Sequence, residues 1–86
     1  MYDIQLTQAA QKFYAKADTP LTKQLNRCFA QLSQNPHIHP NIKRLSGKFS
    51  GFYRYRVGDY RVVYEIKEDN AIVIILIIAH RREVYR

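Results

Sequence analysis

The chain has 86 residues, a hydrophobic share of 47% and a single cysteine, which bounds it to one folded domain (1–86) with a modest core and excludes a disulfide-stapled scaffold. Lysine and arginine outnumber aspartate and glutamate by 14 to 7, and the charge is uneven: residues 1–40 carry +2 and residues 41–86 carry +5. A basic surface weighted to one half of so small a protein points to a polyanion or an acidic partner.

The elements follow from periodicity. Tyr2, Ile4 and Leu6 alternate with polar neighbours and predict a short strand. Thr7 is placed to cap a helix in which Ala10, Phe13, Tyr14 and Ala17 recur at helical spacing. "ADTP" interrupts that pattern, and Thr19 followed by Pro20 reads as the N-cap of a second helix. Its apolar stripe is Leu21, Leu25, Cys28, Phe29 and Leu32, so Cys28 is expected in the core and the two helices in an antiparallel hairpin.

Pro36 and Pro40 in "NPHIHPN" remove donors and prevent a helix, and "LSGKFSG" (45–51) reads as a loop or edge leading into the next strand. From Phe52 onward the chain turns β: a strand over 52–57, a Gly58-Asp59 turn whose glycine suits a type II′ hairpin, and a strand over 60–67. A polar turn at Glu68-Asp69-Asn70 leads to "AIVIILIIA" (71–79), which is apolar without alternation and predicts a central strand covered on both faces. At nine residues that run is far shorter than the ~20 needed for a membrane-spanning helix. The N-terminus lacks the pattern of a signal peptide, and the lone Cys28 suits a reducing compartment. A soluble cytoplasmic protein without a membrane partner is therefore expected.

The order β-α-α-β-β-β implies an α+β layer, with a helical hairpin packed on one face of a small, mainly antiparallel sheet. The other face is free to carry a groove. Alternation in the hairpin turns Tyr53, Tyr55, Val57, Tyr60, Val62, Tyr64 and Ile66 toward the helices. Arg54, Arg56 and Arg61 then share the open face, with Arg81 and Arg82 able to reach the same rim. Like charges on adjacent strands are destabilising without a purpose, and planar guanidinium groups clamp phosphate oxygens, so a phosphate-binding surface is expected. Glu65 is the expected cross-strand ion partner of an arginine. His37 and His39 lack a further ligand and read as plain loop residues, so no metal and no cofactor are expected.

Three stretches together, "KRLSGKFSGFYRYRVGDYRVVYEI", "AIVIILIIA" and "HRREVYR", resemble the toxins of the RelE/ParE superfamily of toxin–antitoxin systems, over nearly the whole chain and most closely those of the RelE branch. The resemblance implies the RelE-like microbial RNase fold and a toxin that inhibits translation as an mRNA interferase. That branch cleaves mRNA in the ribosomal A site by attack of the 2′-OH on the adjacent phosphorus, without a metal. Arg54 and Arg56 fall where the branch often has lysines near the scissile phosphate. Arg61 matches an arginine that stabilises the developing charge, Arg81 one that assists the leaving group, and Tyr85 a tyrosine that stacks on or orients the nucleotide. Lys48, Arg82 and Arg86 join the implied phosphate-binding set. Because an arginine cannot be deprotonated in practice, the implied proton acceptor is His80 or Tyr85. The implied partners are the ribosome and mRNA, and a cognate RelB-like antitoxin in a hetero-oligomer that binds operator DNA through the antitoxin. The alternative within the superfamily is a ParE-like inhibitor of DNA gyrase with no nuclease activity.

Overall fold

In a computed structural model describing residues 1–86, the chain runs β1 (Asp3–Leu6), α1 (Gln8–Lys16), α2 (Thr19–Gln34), β2 (Ile42–Arg44), β3 (Tyr53–Val57), β4 (Tyr60–Lys67) and β5 (Ile72–His80). Single 3-10 turns lie at Gly47–Phe49 and Glu68–Asn70. The strands form one sheet in the order β1-β5-β4-β3-β2, with β1 parallel to β5 and every other pair antiparallel. This is the expected α+β layer with one strand more than periodicity indicates. β2 is only "IKR", too short and too charged to show a period, and it forms by pairing with β3 from Ile42↔Tyr55 to Arg44↔Tyr53.

Local chemistry explains most boundaries. Thr7 caps α1 as expected, accepting from the Ala10 N–H at 3.3 Å. α2 begins one residue earlier than expected: its N-cap is Asp18, whose Oδ1 accepts from the Leu21 N–H at 3.0 Å, and Thr19 is already helical. A carboxylate both satisfies an orphan donor and meets the positive end of the helix dipole, so Asp18 outcompetes the neighbouring threonine. At the hairpin, Val57 pairs with Tyr60 and Gly58 takes φ +57° while Asp59 does not enter the left-handed region, as a type II′ turn requires.

The helices cover one face of the sheet. Ala10, Leu25, Cys28 and Leu32 form a buried cluster with Tyr55, Val57, Val62, Tyr64, Val73, Ile75 and Ile78. The loop after α2 is pinned to this core by the Tyr64 hydroxyl, which donates to the carbonyl of the buried Pro36 at 2.7 Å.

β5 departs from expectation. It is central, but only one of its faces is packed by the helices: Val73, Ile75 and Ile78 are buried while Ile77 is 39% exposed. The two-residue period is broken between Ile75 and Ile78 by a bulge, because Tyr64 pairs with Ile75 and Val63 with Ile77, leaving Leu76 unpaired. The Leu76 carbonyl accepts from the Thr7 hydroxyl at 2.7 Å, so one side chain caps α1 and satisfies the bulge. On the open face Val63 and Val84 are buried without belonging to the helix-side cluster, and the C-terminal turn hydrogen-bonds back to His80. No helix is long and apolar enough to cross a membrane.

Candidate nucleic-acid interface

The antiparallel register brings four cations to one face. Lys43 pairs with Arg54, Arg54 with Val63, and Arg56 with Arg61, so Lys43, Arg54, Arg56 and Arg61 leave the backbone on the side opposite the helices. None of them forms an ion pair. Glu65, the expected arginine partner, instead lies 3.3 Å from Lys67 on its own strand, because strand alternation sets residues 65 and 67 side by side.

Lys43, Ser46, Phe49, Arg54, Arg61 and Tyr85 line a cleft of ≈ 520 Å³. Its floor is rigid strand and its wall is the 3-10 turn after β2. The Arg61 guanidinium is oriented by the hairpin turn, with Nη1 donating to the carbonyls of Gly58 at 3.0 Å and Tyr60 at 2.9 Å. Arg54 Nη1 donates to the Asn41 carbonyl at 2.9 Å. Partial burial, reinforced by the charges of Arg54 and Arg56, holds the Arg61 guanidinium below the usual arginine value. Its positive charge is thus unfavourable in the free protein and would be relieved by an anion in the cleft.

At the mouth, the Tyr85 ring is 40% exposed and sits 5.3 Å from Phe49 at 58°. Lys48 Nζ lies 5.4 Å from the centre of the Phe49 ring. Two aromatic faces beside a row of cations can stack a nucleobase while the guanidinium groups hold its phosphate.

Arg54, Arg61 and Tyr85 thus meet in one cleft, with Lys48 at its mouth. Arg56 shares their face, opposite Arg61 on the neighbouring strand, and the residue also borders a second cleft at the edge of β3. Arg81 is held at the hairpin turn: its N–H donates to the Asp59 carbonyl at 2.8 Å and its Nε lies 3.9 Å from Asp59 Oδ1. Its charge acts on Arg61, yet it does not line the cleft. Arg82 and Arg86 are exposed and their side chains make no bonds within the protein.

His80 lies on the other face. It pairs with Tyr60, whose ring packs on the helix-side core, and its ring meets Tyr60 edge-on at 5.6 Å. Its Nδ1 accepts from the Arg82 N–H at 3.2 Å.

Among the cleft residues that the sequence did not single out are Lys43 and Phe49. Nothing local marks either: the first reaches the cleft through the pairing of β2 with β3, and the second because the 3-10 turn folds beside the C-terminus. His37 Nε2 is 2.7 Å from Glu68 Oε1, and His39 stacks on Tyr55 at 5.2 Å. Neither joins a group of three metal-ligating side chains.

A family model described as ParE toxin of type II toxin–antitoxin systems matches residues 4–85. Among solved structures, the fold is similar to a chain of the RelBE2 toxin–antitoxin complex from Mycobacterium tuberculosis (26% identity, TM-score 0.80, covering 93% of this chain and 98% of that one). It is similar to a chain of the archaeal RelE–RelB complex from Pyrococcus horikoshii OT3 (22%, TM-score 0.81, covering 96% and 98%). It also resembles the isolated RelE toxin of E. coli (24%, TM-score 0.80, covering 99% and 92%). No curated protein matches the chain.

Proposed function

The chain belongs to the ParE toxin family within the RelE/ParE superfamily, as the toxin of a type II toxin–antitoxin system, and on that basis we propose that it is a ribosome-dependent endoribonuclease that cleaves mRNA in the A site. The observation that carries this reading is the acid-free cleft in which Lys43, Arg54 and Arg61 face the Phe49–Tyr85 aromatic pair. A purely protein-binding surface has no need to hold three uncompensated cations around a stacking platform.

In the reaction the mRNA 2′-oxygen attacks the adjacent phosphorus, the bond to the 5′-oxygen breaks, and a 2′,3′-cyclic phosphate and a 5′-OH result. Arg61, positioned by the turn carbonyls, and Arg54 stabilise the charge that builds on the non-bridging oxygens. This is commonly the largest catalytic contribution. Tyr85 stacks on or orients the nucleotide. Arg81 is held at the hairpin turn beside Asp59, outside the cleft, and reaches the leaving oxygen only by releasing that contact. Arginines cannot take the 2′-OH proton, and His80 lies across the sheet, so the cleft groups able to exchange a proton are the Tyr85 hydroxyl and the Lys43 amine. The protein acts in the cytoplasm and is restrained by a RelB-like antitoxin whose complex binds operator DNA.

A second reading, a gyrase-directed poison, is favoured by the family description and by the position of His80 away from the arginines. Primer extension on translated mRNA after induction separates the two. Breaks at A-site codons are expected; intact transcripts with gyrase-linked DNA breaks would establish the alternative.

A further inference from the structure

Lys43 is the middle residue of β2 and pairs directly with Arg54 on β3. Hydrogen bonds on either side fix that register: the Arg56 N–H donates to the Asn41 carbonyl at 2.9 Å and the Leu45 N–H to the Phe52 carbonyl at 3.0 Å. The next residue shows which way the strand faces. Arg44, opposite Tyr53, lays its guanidinium 5.9 Å from the centre of that ring, which packs on the helix-side core. Lys43 therefore leaves β2 on the other face, with Arg54. Directly opposed side chains start about 4.5–5.5 Å apart at Cβ, so the Lys43 ammonium and the Arg54 guanidinium reach one phosphate in the cleft that both residues line.

The groups around that phosphate differ in what they can give it. Arg54 Nη1 is engaged with the Asn41 carbonyl and Arg61 Nη1 with the carbonyls of Gly58 and Tyr60. A guanidinium does not release its proton in practice, so both arginines can hold the non-bridging oxygens and neither can protonate a leaving group. Arg81 stands outside the cleft beside Asp59. Lys43 forms no ion pair and is open to solvent. A lysine ammonium is charged at neutral pH, and the alkoxide formed when a phosphodiester breaks is far more basic than an amine, so proton transfer between them is downhill.

We propose that Lys43 is the general acid of the cleavage, its ammonium protonating the 5′-oxygen as that oxygen leaves. The inference rests on the nuclease reading and adds to it the donor for the leaving group. As the bond from the 2′-oxygen to phosphorus forms, the 2′-OH proton passes to solvent hydroxide, directly or through the Tyr85 oxygen. As the bond from phosphorus to the 5′-oxygen breaks, its electron pair goes to that oxygen and a proton from Lys43 Nζ follows, giving the 5′-OH. The neutral amine then regains a proton from water.

The test is single-turnover cleavage on ribosomes programmed with two versions of one mRNA, the second carrying sulfur in place of the 5′-bridging oxygen at the position cut in the first. A thiolate leaves without being protonated, so the sulfur substrate bypasses a missing acid. Lys43→Arg keeps the positive charge and removes the transferable proton. It is expected to cut the natural mRNA about 10²-fold more slowly than the wild-type protein, and the sulfur mRNA at the wild-type rate. Arg61→Ala, which loses charge stabilisation rather than the acid, is expected to be slow on both. An equal defect of Lys43→Arg on the two substrates would overturn the proposal and leave Lys43 a charge-placing group. So would a wild-type rate of Lys43→Arg on the natural mRNA. In both cases the nuclease reading stands, because the wild-type protein cuts in the same experiment. If the wild-type protein cuts neither mRNA, the nuclease reading falls and the general acid with it.

Discussion

Arg61 condenses the logic of the site into one residue. Two backbone carbonyls of the type II′ turn hold its guanidinium, while burial and the neighbouring arginines make its charge unfavourable until an anion arrives. The sign follows directly. A depressed arginine value penalises the folded state at every pH where the group is protonated, hence throughout the working range, and no pH change near neutrality relieves it. Arg61→Ala is therefore expected to leave stability intact while slowing mRNA cleavage by about 10²–10³-fold, read by primer extension and loss of growth inhibition. Tyr85→Phe separates two roles in the same assay. Unchanged cleavage assigns Tyr85 to stacking against Phe49, and a drop comparable to that of Arg61→Ala assigns the hydroxyl to proton transfer. Strand alternation alone identified Arg54 and Arg61 as neighbours. It could not show that His80 falls on the opposite face, because that depends on which way β5 enters its last pair.

At the level of elements, caps and turns were readable because they are local, with one informative slip. Both Asp18 and Thr19 can cap, and the carboxylate does so. Asp18→Ala is expected to lower stability by about 1 kcal/mol in urea denaturation. Thr19→Ala should change it by no more than a few tenths, ~0.3 kcal/mol, as an exposed helical position; the reverse ranking would return the cap to Thr19. The bulge at Leu76 was invisible in "AIVIILIIA", where every residue is apolar and a skipped partner leaves no mark in the pattern. It matters for the site: without the extra residue, Ile78 and His80 would exchange faces with Ile77 and Ala79.

The whole molecule is held by contacts between residues far apart in the chain. The Tyr64 hydroxyl on Pro36 spans 28 residues and ties the Pro-rich loop, from which Asn41 and β2 follow, to the centre of the sheet. Tyr64→Phe removes the donor and strands a buried carbonyl, at an expected cost of about 1–3 kcal/mol by urea denaturation.

The amino-acid pattern by itself determined the α+β class, the helical stripe that buries Cys28, the glycine-led hairpin and the gathering of arginines on its open face. Each of these depends on residue type and on periods of 2 or 3.6 that survive in any context. Only the tertiary structure decided the fifth strand, the bulge, the meeting of Phe49 with Tyr85 and the separation of His80 from the arginines. All of those arise where segments distant in sequence come together, and pairing register, edge exposure and loop closure leave no local signature for a period to reveal.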